Sequence, residues 1–216
     1  MIELAAFLGN PGKEYSRNRH NAGFLLAGKL KIKLSWQKKY SGYYAAIERK
    51  LLADEANPLE GEESSSRLHF IMPQTFMNLS GKSVSAVSSF YKVKISSIIV
   101  VHDELELPLG TISLKFGGGL GGHNGLRSMK ASLGSADFWR LRIGIGRPDK
   151  RLPGEGGPPG SGEGVVDWVL SNFTAAEAEE MDRVLDTALE LLMETFVKDP
   201  ESLLKEWAKK KVLLND

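Results

Sequence analysis

Apolar residues in this chain gather into short, nearly continuous runs separated by polar, glycine-rich turns. Six runs read as strands: Leu4 to Leu8, Tyr43 to Glu48, Leu68 to Met72, Ile98 to Val101, Gly110 to Phe116 and Leu141 to Ile145. Several are almost unbroken Ile, Val and Leu, as expected of strands buried on both faces. Between them, apolar positions recur at helical spacing over Ala22 to Leu30, Ser80 to Tyr91 and Gly125 to Leu133. Alternating strands and helices predict an α/β fold: one domain, residues 1–216, with a mixed, mostly parallel twisted sheet flanked by helices.

Towards the C-terminus the period becomes purely helical. Thr174 with Glu177 fits a capping box, and Met181, Leu185, Ala188, Leu189, Leu192 and Phe196 form one apolar face behind it. Asp199-Pro200 then opens a second, shorter helix with Asp as cap and Pro at the first helical position. Two stretches break the pattern and are expected to be surface insertions. Residues 53–67 are acidic and Ser-rich, and 153–164 (PGEGGPPGSGEG) hold six Gly and three Pro in twelve residues.

Composition narrows the chemistry. With 216 residues and 42% hydrophobic content the chain can bury a sizeable core, and with no cysteine it excludes disulfides, thiolate catalysis and Cys metal sites. No apolar run approaches a membrane span and the N-terminus shows no secretory signal, so a cytoplasmic protein is expected. The net charge of +1 conceals segregation: seven Lys/Arg face one acid from Phe24 to Lys50, and eight face two from Gly110 to Arg151. Two basic segments beside Gly-rich loops point to an anionic ligand, although each alone is also an ordinary solvated surface.

The densest polar cluster follows the first strand. In GNPGKEYSRNRHNAGF, Gly9 to Phe24, a turn needs only the Gly and Pro residues, yet Asn10, Tyr15, Arg17, Arg19, His20 and Asn21 accompany them. Other strand ends deliver similar groups: Asn78 in PQTFMNLSGK, Asp103 in VVHDELELP and Asn124 at the end of GGGLGGHNG. In open α/β sheets ligands bind beyond the carboxyl ends of strands, where such residues meet. Taken singly each has a structural reading: Asp103, Asn78 and Asn124 as turn or helix caps, Asn10 in a turn, His20 as a packed histidine. His69 reads as structural within its strand, and His102 and His123 as neighbours of a site.

Taken together they suggest hydrolysis. A His beside a carboxylate is a general base held in one tautomer. Without a cysteine or a G-x-S-x-G serine, the simplest nucleophile is water. Asn amides suit the fixing of a substrate carbonyl, a ribose hydroxyl or that water. The run Gly117 to Gly122 does match G-x-G-x-x-G, but the acid that follows, Asp137, falls in a loop before the strand from Leu141, against a dinucleotide site.

The motifs GNPGKEYSRNRHNAGF, PQTFMNLSGKSV, VVHDELELPLG, FGGGLGGHNGLRSM and RLRIGIGRP occur in the order found in bacterial-type peptidyl-tRNA hydrolase, which the chain resembles over most of residues 4 to 148. The resemblance implies a monomeric, metal-independent esterase that uses no cofactor. Such an enzyme cleaves the ester between a peptide and the tRNA ribose, recycling tRNA from prematurely released peptidyl-tRNA. It implies His20 as catalytic base, Asp103 as the residue that keeps it proton-accepting, and Asn10 close to the scissile ester. Tyr15, Phe76, Asn78 and Asn124 would bind the tRNA end and peptide, Met77 would line the peptide groove, and His123 would neighbour a gate over the site.

The family's 5′-phosphate clamp would map to Arg142 and a basic residue near Lys115, but Ser113 stands where that base often lies. Restoring a lysine at 113 is then expected to strengthen tRNA binding. Two other readings remain: an RNA-binding or splicing cofactor on the same scaffold, and a metallohydrolase using His20, His102, Asp103 and His123.

Overall fold

The computed structural model describes residues 1–52, 66–148 and 162–212. Among these, eight strands form one sheet in the order β2-β3-β4-β1-β5-β7-β6-β8. They are β1 (Leu4–Phe7), β2 (Gln37–Lys39), β3 (Gly42–Glu48), β4 (Arg67–Pro73), β5 (Ile98–Glu104), β6 (Thr111–Phe116), β7 (Trp139–Gly144) and β8 (Lys210–Lys211). The helices are α1 (Ala22–Gly28), α2 (Ser80–Tyr91), α3 (Asn124–Leu133), α4 (Gly162–Leu170), α5 (Ala175–Val197) and α6 (Pro200–Trp207).

Alternate residues of the central strands feed two separate cores. Ala5, Phe7, Ile99, Val101, Leu141 and Ile143 pack beneath α1, α5 and α6. Leu4, Ala6, Leu8, Ile98 and Val100 pack beneath α2 and α3. Burial on both faces explains why these strands read as continuous apolar runs rather than alternating ones.

The single α/β domain with a mixed sheet is as expected, but the proportion of parallel strands differs. Only the central four, β4-β1-β5-β7, run parallel. Both margins are antiparallel, β2-β3-β4 on one side and β7-β6-β8 on the other. Three pairings of seven are therefore parallel, and the expectation of a mostly parallel sheet is corrected. Of the antiparallel pairs only β2–β3 is joined by a tight turn; β6 and β7 are joined through α3, and β8 returns from the C-terminal helices to pair with β6.

Strand β5 runs three residues beyond the expected end, so Asp103 lies within the sheet opposite Ile143. Both C-terminal helices start as expected, with the Thr174–Glu177 capping box complete and Asp199 capping Glu201 ahead of α6. Of the two supposed insertions, residues 53–65 and 153–161 lie outside the described residues. Arg67 begins β4, and Gly162 to Gly164, expected to be irregular, open α4. Among the described residues no helix is long and apolar enough to cross a membrane.

Candidate active site

The hydrogen bond from the Leu8 amide to the Val101 carbonyl, 3.0 Å, continues the β1–β5 pairing to the strand ends. Gly23, in the first turn of α1, sits directly over this junction. A Cβ there would stand 2.5 Å from the Leu8 carbonyl oxygen and 2.6 Å from that of Val101. This close approach brings the one-turn helix Arg19–Asn21, just before α1, against the end of β5. His20 and Asp103, 83 residues apart in sequence, thus become direct neighbours.

The Nδ1 of His20 lies 2.9 Å from Oδ1 and 3.0 Å from Oδ2 of Asp103. A carboxylate accepts, so Nδ1 carries the proton and the lone pair of neutral His20 falls on Nε2. Burial by itself lowers the His20 pKa, but the Asp103 charge and hydrogen bond outweigh it and raise the value above 6.5. Asp103 is only 2% exposed. Burial works to raise its pKa, yet His20 and His123 together hold it well below the usual carboxylate range.

His123 completes this group. Its Nδ1 accepts from the amides of Gly125 and Leu126, at 3.0 and 3.3 Å, capping α3. The proton of its neutral ring therefore lies on Nε2, which donates to Asp103 Oδ1 at 3.0 Å. The His20 and His123 rings lie 4.9 Å apart.

Ligand-type atoms of His20, Asp103 and His123 all fall within 4.8 Å of one another. Metal binding through His123 Nε2 would move its proton to Nδ1, into two amide N–H groups, so the donor set fits a hydrogen-bonded triad better than a cation site. His102, the fourth residue of the metallohydrolase reading, instead bonds through Nδ1 to the Asp103 carbonyl at 2.7 Å. Burial first, with the nearby His123 adding to it, pushes its pKa down to about 3 and keeps it neutral.

Asn10 is held from both sides. The Asn21 side chain accepts from its amide at 2.8 Å and donates to its carbonyl at 3.0 Å. The Asn10 Oδ1 accepts from the Met77 amide at 2.7 Å, which turns its Nδ2 donor away from that partner. A cleft of about 210 Å³ opens beside it, bordered by Gly12, Phe24 and Gln74.

Met77 is buried in the one-turn helix Met77–Leu79, whose next residue is the exposed Asn78. That helix packs on the start of α3 through Gly125, where a Cβ would stand 2.6 Å from Met77 Sδ. Asn124, also exposed, begins α3. The Tyr15 and Phe76 rings meet edge-to-face at 6.4 Å, and Phe76 is 57% exposed. The structure thus gathers His20, Asp103 and His123 in one group, links Asn10 to Met77, and pairs Tyr15 with Phe76.

The pattern of the peptidyl-tRNA hydrolase family matches residues 4–214. The chain belongs to that family. It is 45% identical to the peptidyl-tRNA hydrolase of Treponema pallidum (strain Nichols), across 98% of this chain and 97% of the relative. With that of Citrifermentans bemidjiense it shares 42% identity, across 91% and 92%. Its fold is similar to the crystal structure of peptidyl-tRNA hydrolase from Acinetobacter baumannii, with a TM-score of 0.74 at 35% identity, covering 95% and 93% of the two chains.

Against the peptidyl-tRNA hydrolase pattern, the basic residues behave differently from expectation. Arg142 is engaged within the sheet, donating to Ser113 Oγ at 2.8 Å and lying 3.4 Å from Glu104 Oε2. Ser113 is fully buried and its hydroxyl also bonds to the Ala208 carbonyl after α6. Lys115, two residues on, is half-buried and passes over Gly118. A lysine at 113 would therefore not reach solvent directly. Ser113→Lys is expected to cost about 1–3 kcal/mol of stability in denaturant unfolding, by displacing the Ala208 turn and breaking the Arg142 bond. Unchanged stability with tighter tRNA binding would show that the turn yields freely.

Two supporting residues were not legible as such. Asn21 stood in the polar stretch with no sign that it clamps Asn10. Arg19, 3% exposed, ties the His20 turn to the C-terminal part of the chain. It pairs with Glu177 at 2.8 Å and lies 3.8 Å above the Trp168 ring, and its amide donates to the Ser171 carbonyl. An arginine beside a catalytic-type histidine is the signal that such a brace leaves in sequence, but its partners lie some 150 positions away.

Proposed function

We propose that this chain hydrolyses the ester joining a peptide, or an N-blocked amino acid, to the ribose of tRNA, and so recycles tRNA from prematurely released peptidyl-tRNA. The observation that carries this reading is the 2.9 Å contact between His20 Nδ1 and Asp103, beside an Asn10 amide whose orientation the Met77 amide dictates. His20 Nε2 takes a proton from water as the water oxygen attacks the ester carbonyl. The Asp103 carboxylate stabilises the imidazolium that forms. Collapse of the tetrahedral intermediate breaks the bond to the ribose oxygen, and the proton on Nε2 passes to that oxygen. General-base assistance of this kind contributes about 10²–10⁴ in rate.

Asn10 Nδ2 is the donor aimed at the ester or its oxyanion. Asn10→Asp keeps the acceptor for the Met77 amide and removes the donor. It is expected to lower kcat by about 10²–10³ with little change in melting temperature. A kcat within twofold of the unaltered protein would remove Asn10 from the reaction. The donor also accounts for a preference for blocked substrates, since a free α-amino group is partly cationic near neutral pH and a second donor serves it poorly.

Tyr15 and Phe76 offer a ring platform for the terminal nucleotide, and Asn78 and Asn124, on two packed elements, bind the tRNA end and peptide. Met77 lines the peptide groove, and His123 stands by the gate while holding Asp103. Of the two residues assigned to the 5′-phosphate, Lys115 is the better placed, because Arg142 must first leave Glu104. The chain acts as a monomer in this reading. The His123 tautomer supports a mechanism without metal, and translation in the cytoplasm supplies the substrate.

The test is release of amino acid from N-acetyl-aminoacyl-tRNA by the purified protein, with and without EDTA. Release that persists in EDTA, with free aminoacyl-tRNA left intact, is the expected result. No release would overturn the reading. Loss in EDTA with recovery on adding a divalent cation would favour the metallohydrolase instead.

A further inference from the structure

An aromatic and basic surface covers the sheet margin where the β2–β3 hairpin meets the end of α2. Its inner rings are locked. Tyr44 and His69 are buried, with the Tyr44 hydroxyl 2.8 Å from His69 Nδ1, and Tyr91 stacks on both at 5.6 and 4.1 Å between centroids. The outer rings stand on this base. Tyr40 lies 5.2 Å from Tyr44 and 5.8 Å from Phe90, and Phe90 is 68% exposed. Around them Lys39, Arg67, Lys92 and Lys94 are exposed. β3 ends on Glu48, which lies opposite Arg67 and pairs with Lys50 at 2.7 Å, so the cations free of an acid here are Lys39, Lys92 and Lys94 among the described residues.

A second observation is conformational. Among the described residues only Tyr40, Ser41 and Lys92 have positive φ without being glycine, at 55°, 53° and 57°, and all three border this surface. Tyr40 and Ser41 form the two-residue turn of the β2–β3 hairpin, and Lys92 is the left-handed cap that ends α2. Local turn geometry thus holds the outer ring of Tyr40 and the Lys92 stem at this margin. The hairpin tip also adjoins the active site. The Gln74 amide donates to the Ser41 carbonyl at 2.9 Å, and Gln74 leads directly into Phe76, Met77 and Asn78.

We propose that this surface is a second RNA-binding site, which takes the substrate's nucleotides upstream of the terminal adenosine; this rests on the function proposed above. Exposed ring faces accept bases of any identity by stacking, and Lys39, Lys92 and Lys94 beside them suit the phosphates.

Two substrates separate this from the chemistry: N-acetyl-phenylalanyl-tRNA, and the same ester on adenosine alone. Phe90→Ala is expected to raise KM for the tRNA substrate roughly fivefold or more while leaving kcat, and to leave KM for the adenosine ester unchanged. Lys39→Glu with Lys92→Glu should reduce the salt dependence of uncharged-tRNA binding by about one unit of log–log slope per lysine. An unchanged KM for tRNA, an equal change for the adenosine ester, or a KM effect that follows peptide length would each overturn the proposal. Should the unaltered protein hydrolyse neither ester, the function is refuted while uncharged-tRNA binding by these variants still decides the surface.

Discussion

Replacing His20 by alanine is expected to lower the single-turnover rate on N-acetyl-aminoacyl-tRNA by about 10²–10⁴ or more, the range that a general base supplies. Among the described residues no other histidine presents an accessible lone pair to replace it; the unpartnered Nε2 of His102 is fully buried. His123 has its lone pair committed to two α3 amides, and His102 is buried with Nδ1 on a backbone carbonyl. Binding should survive, because Asn10, Tyr15 and Phe76 are held by contacts that do not involve His20. Asp103 keeps its bond to His123, so the variant does not leave an orphaned buried charge and its fold should hold. Full activity in this variant would sink the assignment of the base.

Asp103→Asn has the second largest expected effect, and it acts on pH as well as rate. The carboxylate does two things for His20: it accepts the Nδ1 proton and it offsets the burial that lowers the imidazole pKa. An asparagine can present its Nδ2 donor to Nδ1, driving the proton to Nε2 and removing the base from the cleft. Loss of the correct tautomer together with the stabilising charge is expected to cost about 10²–10⁴ in kcat, less than or equal to the loss in His20→Ala.

The sign of the pH effect follows from the same balance. Activity needs neutral His20, so it rises with pH through a pKa above 6.5 in the unaltered protein. Without Asp103 burial prevails, and the acid limb should move to lower pH. Stability runs the other way. The raised His20 pKa contributes stability that is fully present below 6.5 and lost as pH rises through the folded value. The depressed Asp103 contributes stability above its unfolded pKa and loses it as pH falls. An Asp103→Asn profile with unchanged rate and unchanged acid limb would mean that the pair is not coupled.

Much of the architecture was legible because burial on both faces writes a simple signature. The apolar runs at β1, β4 and β5 and the helical period of α2 needed no further information. The margins were harder. Strand β2 is Gln-Lys-Lys and β8 two lysines, short and charged as edge strands tend to be, so neither carries an apolar pattern. The antiparallel margins followed from those missed strands and from the order in which β3 and β6 join the sheet, which no local pattern announces.

At the site, residue types were informative and pairings were not. His20, Asp103, Asn10 and Met77 stood out within motifs, but their contacts depend on β1 lying beside β5 and on how closely Gly23 lets α1 approach. The role of His123 as helix cap and carboxylate donor at once was hidden, since Asn124 was the more obvious cap. Arg142 read as a free cation because nothing local announces Glu104 and Ser113 as its partners. Those arise from strand register, which sets His102 and Ser113 opposite Arg142 on either side.

Asp103 holds His20 with its proton on Nδ1 and its pKa raised. A ¹⁵N NMR titration of the histidine ring nitrogens reads both directly. His20 above its pKa is expected as the Nδ1–H tautomer, titrating above 6.5, with the pKa falling in Asp103→Asn. A His20 that is protonated on Nε2 when neutral, or that titrates below 6.5 in the unaltered protein, would contradict this arrangement.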